Sequence, residues 1–170
     1  DETPVQMLKP ASLRDGKTHR AYLWAYSPGR HEAMKAVVYD FCDSRAGKHA
    51  GQFLKGWGGT LLVDDYAGYK QLMGQKVQEA GCWAHARRKF FELHAANKSQ
   101  IAEQALVQIG HLYEIERQAQ EISTQERQAI RQQQSQPLID KLHAWLHEHR
   151  MKIPEGSATA KAISVCPCRG

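Results

Sequence analysis

The chain changes character near residue 83, and that change limits its fold more than any other feature. Before it, apolar residues come in short runs rich in aromatic and β-branched side chains: "HRAYLWAYS" (19–27), "KAVVYDF" (35–41) and "TLLV" (60–63). Runs of this kind, separated by turn chemistry such as "SPGRHE", predict strands. "DETPVQML" reads as the end of a further strand interrupted by Pro4, and "VQEAGCW" as another. Between them, Ala50, Phe53, Leu54 and Trp57 fall at helical spacing within 44–57, and a short helix is expected from Tyr66 to Met73. After residue 83 the apolar period is helical throughout. Ile101, Ala105, Ile109, Leu112 and Ile115 form one stripe, and Leu138, Leu142, Trp145 and Leu146 form another. Ser123 and Glu126 have the spacing of a capping box, and Pro137 is expected to kink or break the glutamine-rich helix that follows. "PEGSATAKAI" predicts a loop and a first helical turn, and "SVCPCRG" carries no helical pattern. The pattern predicts an α/β domain followed by a mostly helical region.

At 170 residues the chain is long enough for one good core with an appended subdomain. Its formal charge of +5 mildly favours a polyanionic partner. Four cysteines, Cys42, Cys82, Cys166 and Cys168, are too sparse for a disulfide framework. Without a charged-then-apolar leader or a run of spanning length, the chain is expected to be soluble and cytoplasmic, away from membranes. Its opening residues, with no initiator methionine, read as a piece of something longer.

The stretch "GTLLVDDYAGYK" (59–70) raises the chemical question, because an apolar run stops at two adjacent aspartates. One reading is that Asp64 and Asp65 cap the helical turn that follows. The other makes one of them a metal ligand at a strand end. Asp1 and Asp64 lie 63 positions apart but would meet if their strands packed side by side. A carboxylate pair with a substrate phosphate suits magnesium, which takes hard oxygen ligands and keeps several waters. Asp64 and Asp65 point to opposite sides of an extended backbone, so only one of them can join Asp1.

"CWAHARRKFF" (82–91) is the second cluster. Cys82 and His85 have zinc-ligand spacing but make half a site, which Cys166 and Cys168 would have to complete. A buried cysteine beside a hydrogen-bonded histidine is the plainer reading, since isolated half-sites are common by chance. Arg87, Arg88 and Lys89 open a helix whose Phe90 and Phe91 are expected to turn inward. The three cations form either a solvated face or a contact for a nucleic-acid backbone. His143, His147 and His149 crowd one helix, with an exposed surface the plainer reading and metal chelation the sharper one.

Taken together, "DETPVQML", "AYLWAY", "VVYDF", "GTLLVDDYAGYK", "EAGCWAHARRKFFELHAANKSQIAEQAL" and "PEGSATAKA" closely resemble the insertion-sequence-66 family of bacterial transposases, in register from Asp1 to about Ala162. The resemblance implies a ribonuclease H-like mixed sheet with helices, bearing a DDE site in which two aspartates and a glutamate hold two magnesium (or manganese) ions. Such enzymes cut the DNA ends of a mobile element and join them to target DNA by phosphoryl transfer, within a self-associated transposition complex. Asp1 matches the first catalytic and metal-binding aspartate. Asp64 matches the second, since the family commonly has Asp-Gly-Tyr where this chain has Asp64-Asp65-Tyr66. Cys82 and His85 match a Cys-x-x-His signature that braces the core, and Arg87, Arg88 and Lys89 remain the DNA-contact candidates. On this reading residues 1–97 are a partial catalytic core, 98–155 a helical insertion and 156–170 an aberrant tail. The third acid is expected in a Glu-Asn-x-Ile-Arg-Pro segment, and the 170 residues hold no such segment. "ISVCPCRG" stands where the family-like continuation belongs, as a frameshift or premature end would produce, and the family's N-terminal DNA-binding region is not among these residues. The expected chain is therefore a transposase fragment, inactive alone. The alternative from another class is a non-catalytic nucleic-acid-binding protein.

Overall fold

A computed structural model describes residues 2–8, 18–29, 32–64, 66–74 and 76–167. The described chain divides into two units, residues 1–80 and 81–170. Asp1, Asp65 and Cys168 lie outside the described residues.

The first unit is built on a meander. Strand β1 (Glu2–Leu8) pairs antiparallel with β2 (Thr18–Tyr26), which pairs antiparallel with β3 (Val38–Cys42). The register sets Glu2 opposite Trp24, and Trp24 opposite Asp40. Pro4 does not interrupt β1, which lies at an edge of the three-stranded sheet, where proline is tolerated. Strand β3 starts later than "KAVVYDF" predicts, leaving Lys35–Val37 outside it. Helix α1 (Lys48–Phe53) is much shorter than the 44–57 span, and only Ala50 of its expected stripe is buried. Phe53 and Trp57 stay 41% and 40% exposed. The glycines of "AGKHAGQFLKGWGG" explain the shortfall, since each costs a helix interior about 1 kcal/mol relative to alanine. Gly56 also takes φ 82°, a left-handed conformation that ends the helical path.

Strand β4 (Gly59–Val63) pairs with β5 (Val77–Gly81), and a 3-10 turn over Ala67–Leu72 replaces the short helix expected there. Among the described residues β1 and β4 are not hydrogen-bonded neighbours: the strands form one sheet of three and one of two. A common core nevertheless joins the two sheets, with Trp24, Cys42, Ala50, Val63 and Tyr69 buried together. Trp24 is fully buried, edge-on to Tyr69 with ring centroids 5.9 Å apart.

Burial and the neighbouring Asp40 carboxylate push the Cys42 thiol up to about 11, and its Sγ lies 3.4 Å from Asp40 Oδ2. Burial, then Asp40, raises the Tyr26 phenol to about 12. Both groups hold their protons in the folded state at a pH where the unfolded chain releases them. Stability is therefore full below the ordinary thiol value of 9.0 and falls as pH rises towards 11. Chemical denaturation at pH 7, 9 and 10.5 should show a decline that Cys42→Ala flattens over its first part.

The second unit is helical, as its period predicts: α2 (Trp83–Asn97), α3 (Gln100–Gln118), α4 (Thr124–Ile130), α5 (Gln136–Met151) and α6 (Ala158–Ser164). Its core unites Phe90 and Leu93 of α2, Ala102, Ala105 and Ile109 of α3, Leu142 and Leu146 of α5, Ala162 of α6, and Cys166. The capping box at Ser123 and Glu126 is formed in both directions. Pro137 does not break the helix: a π-type turn over Arg131–Ser135 runs from α4 into α5 with helical backbone angles at both junctions, a local widening just before the residue that has no N–H to give. Buried Arg127 donates to the carbonyls of Ala119, Gln120 and Ile122, giving partners to backbone acceptors at and beyond the end of α3. Helix α6 runs for two turns rather than one, capped by the Ser157 hydroxyl. Phe90 is fully buried but Phe91 is 56% exposed, because neighbours on a helix point about 100° apart and only one can face the core. Among the described residues no helix is long and apolar enough to cross a membrane.

Candidate functional site

Asp64 follows β4 directly, and the strand's alternation leads up to it: Leu62 is exposed, Val63 buried, Asp64 half-buried. Asp64 Oδ1 accepts the backbone N–H of Tyr66 at 3.0 Å. This is an Asx-type bond two residues on, and it turns the chain into the 3-10 segment. The turn-forming role of the acid is therefore real, and it occupies one oxygen only. Oδ2 has no hydrogen bond to any described residue.

Tyr66 is held from several sides. Its hydroxyl donates to the Arg45 carbonyl at 2.5 Å, and the Arg45 guanidinium lies 4.0 Å from the centre of its ring. Tyr69 meets it edge-on, centroids 5.7 Å apart. Gly68 makes this possible, because a Cβ there would land on the Tyr66 ring. Gly47 is needed for a similar reason: a Cβ would strike the Gly68 carbonyl where α1 approaches the turn.

Behind the tyrosines sits Glu2, whose side chain is only 1% exposed. Its Oε1 accepts from Arg45 Nε at 2.5 Å and its Oε2 from the Tyr69 hydroxyl at 3.1 Å. Burial alone would weaken the charge on Arg45, but the Glu2 carboxylate outweighs it and raises the guanidinium above its ordinary value. Burial, followed by Glu2, drives the Tyr69 phenol up as well, so it stays a donor at every physiological pH. Sequence reasoning missed Glu2, Arg45, Tyr66 and Tyr69. The signal available was the pair of tyrosines three apart in "DDYAGYK"; nothing local marks Arg45 as the partner of a residue 43 positions away.

Of the other expected site residues, Cys82 is the N-cap of α2 and His85 lies half-buried in its first turn. Among the described residues no three His, Cys, Asp or Glu side chains come close enough to hold a metal ion, so Cys82, His85 and Cys166 do not form a zinc cluster. Arg87 and Arg88 are exposed on α2, and Lys89 is half-buried with its ammonium 3.6 Å from Glu92. His143 and His147 are exposed and line a cavity of about 140 Å³ with Arg150, Ile163 and Cys166. His149 instead contacts Trp145, through the Trp145 carbonyl at 2.8 Å and ring to ring.

Three curated relatives, all from Sinorhizobium fredii and all described as uncharacterized proteins, match 96% of the chain. They are y4qI at 33% identity, y4hP at 34% and y4jD at 34%. The chain spans about a third of their length, 32%, 32% and 34%. No solved structure matches. The model of the transposase IS66 family matches residues 1–168, nearly the whole sequence, and the chain therefore belongs to the IS66 family of transposases.

Proposed function

We propose that this chain is part of the catalytic region of a DDE-type transposase with a ribonuclease H-like core, in which Asp1 and Asp64 hold a divalent metal for phosphoryl transfer on DNA. The observation that carries the reading is the state of Asp64. It stands half-buried at the carboxyl end of β4, with one oxygen anchored to a backbone N–H and the other without a hydrogen bond to any described residue.

The donor chemistry fits magnesium, which binds through one or two carboxylates and fills its remaining positions with water and phosphate oxygens. When bound, such an ion lowers the pKa of an attacking water and neutralises charge on the leaving oxygen. The chain's own contribution is to fix the Asp64 carboxylate through the Tyr66 N–H, with Tyr66 itself held by Arg45 and Tyr69. With no matching third acid, the 170-residue polypeptide by itself should not cleave or join DNA above the level of Asp64→Asn.

Equilibrium Mn²⁺ uptake followed by electron paramagnetic resonance tests the metal reading. Uptake that weakens at least tenfold in Asp64→Asn supports it; equal uptake by the two proteins refutes it.

A second reading, nucleic-acid binding without catalysis, is favoured by the exposure of Arg87 and Arg88 on one helix. Each phosphate contact should contribute about 0.9 to the slope of log K against log salt for duplex DNA. Replacing both arginines by alanine should lower that slope by about 2 if each meets one phosphate. An unchanged slope in filter-binding titrations would remove α2 from the DNA interface. Binding that persists in Asp64→Asn, with no metal uptake at all, would favour this reading over the first.

A further inference from the structure

The Asp64 site carries a support that neither the family membership nor the metal reading assigns. Glu2 is a buried carboxylate, joined by one peptide bond to Asp1. It holds Arg45 through Nε, and Arg45 in turn presses on the Tyr66 ring and offers its carbonyl to the Tyr66 hydroxyl. Tyr66 supplies the N–H that orients Asp64. The path thus runs from the residue after the first proposed aspartate to the amide that fixes the second, without a gap longer than a hydrogen bond or a stacking contact.

We infer that Glu2, Arg45 and Tyr66 are positioning residues for the Asp64 carboxylate, clamping the start of β1 to the turn after β4 so that Asp64 presents its second oxygen in one orientation. This rests on the proposed metal role of Asp64. The choice of residues is physically sensible. Arg45 is held at its side chain by Glu2 while its backbone carbonyl holds Tyr66, so the two segments cannot shift independently. Arginine can stack on a ring while donating in its own plane, which lysine cannot do. An ion pair on the protein surface would give no such constraint, but the carboxylate here is 1% exposed and also takes a tyrosine hydroxyl. Groups hydrogen-bonded directly to a metal ligand typically change metal affinity by about 10- to 100-fold when removed, and Arg45 and Glu2, which reach Asp64 only through Tyr66, belong at the lower end.

The test uses Mn²⁺ uptake by the whole 170-residue chain, read by electron paramagnetic resonance, together with the thermal midpoint of each variant. Arg45→Met removes the cation from the buried Glu2 carboxylate and destabilises the fold, so Glu2→Gln with Arg45→Met is made beside it, removing the charge and the clamp together. In the folded double variant the Mn²⁺ dissociation constant should rise about tenfold. Arg45→Lys should recover part of that loss, because it returns a cation to Glu2 without the stacking. A folded double variant with the wild-type dissociation constant overturns the inference and leaves the metal reading standing. If Asp64→Asn itself binds Mn²⁺ as tightly as wild type, the metal reading fails and the positioning role falls with it.

Discussion

Arg45→Met should destabilise the first unit by about 3 kcal/mol, a large share of the 5–15 kcal/mol typical of a whole domain. The effect comes mainly from what remains behind. Glu2 keeps its carboxylate where only 1% of the side chain meets solvent, with its arginine gone. Removing one partner of a buried pair costs about 3–5 kcal/mol, because the other charge stays desolvated. The lower end applies here, since Arg45 is itself 45% exposed and the Tyr69 hydroxyl still donates to Glu2. Glu2→Gln in the same chain should return more than half of the loss, as an amide is far cheaper to bury than a charge. Urea denaturation of the single and double variants measures both numbers. A single variant within 0.5 kcal/mol of wild type, roughly the scatter of ordinary surface changes, would show that Glu2 is solvated in solution.

Trp24→Ala should cost about 3–5 kcal/mol, the range for emptying a buried aromatic position. Trp24 is fully buried on the central strand of the meander, between Glu2 and Asp40 in register. Its ring packs edge-on against Tyr69 and near-parallel to Tyr26, which stacks on Phe53 at 3.9 Å. The cavity would therefore open beneath the tyrosine that anchors Glu2, in a core that Trp24 shares with Cys42, Ala50, Val63 and Tyr69. One offset is built in: the Trp24 indole N–H is buried without a partner among the described residues, so its removal relieves a small penalty. Hydrogen exchange should show β1, β2 and β4 losing protection together while α3 and α5 keep theirs. Protection lost uniformly across both units would contradict the separate cores.

Much of the helical half could be read directly, because its information is local. A stripe such as Ala105, Ile109, Leu112 and Ile115 repeats every turn, and the capping box of Ser123 and Glu126 needs only four residues. The strands of the first unit were legible for the same reason. Less legible were α1, where glycines and helical spacing gave opposing signals, and the inward turn of Phe91, which only the neighbouring Phe90 could decide by taking the core position. The pairing of strands into sheets of three and two depends on partners far apart in sequence, which no local pattern encodes.

The candidate site divides along the same line. Asp64 stood out because an acid ending an apolar run is locally odd. Its companions did not. Glu2 fell in an expected strand and Arg45 in the span read as helical, neither marked out locally, and their meaning comes from the fold bringing them within 2.5 Å. Family resemblance is what singled out Asp1 and Asp64 as the proposed pair. The contacts of Glu2, Arg45, Tyr66 and Tyr69 became visible only with side chains in place.

Crystals of the 170-residue chain soaked in Mn²⁺, with anomalous scattering recorded at the manganese edge, test the central claim most directly. The account predicts an anomalous peak within coordination distance of Asp64 Oδ2, with Oδ1 still on the Tyr66 N–H, and no peak at that position in Asp64→Asn. Manganese density found only elsewhere, or Asp64 turned away with both oxygens bonded to protein, would contradict it.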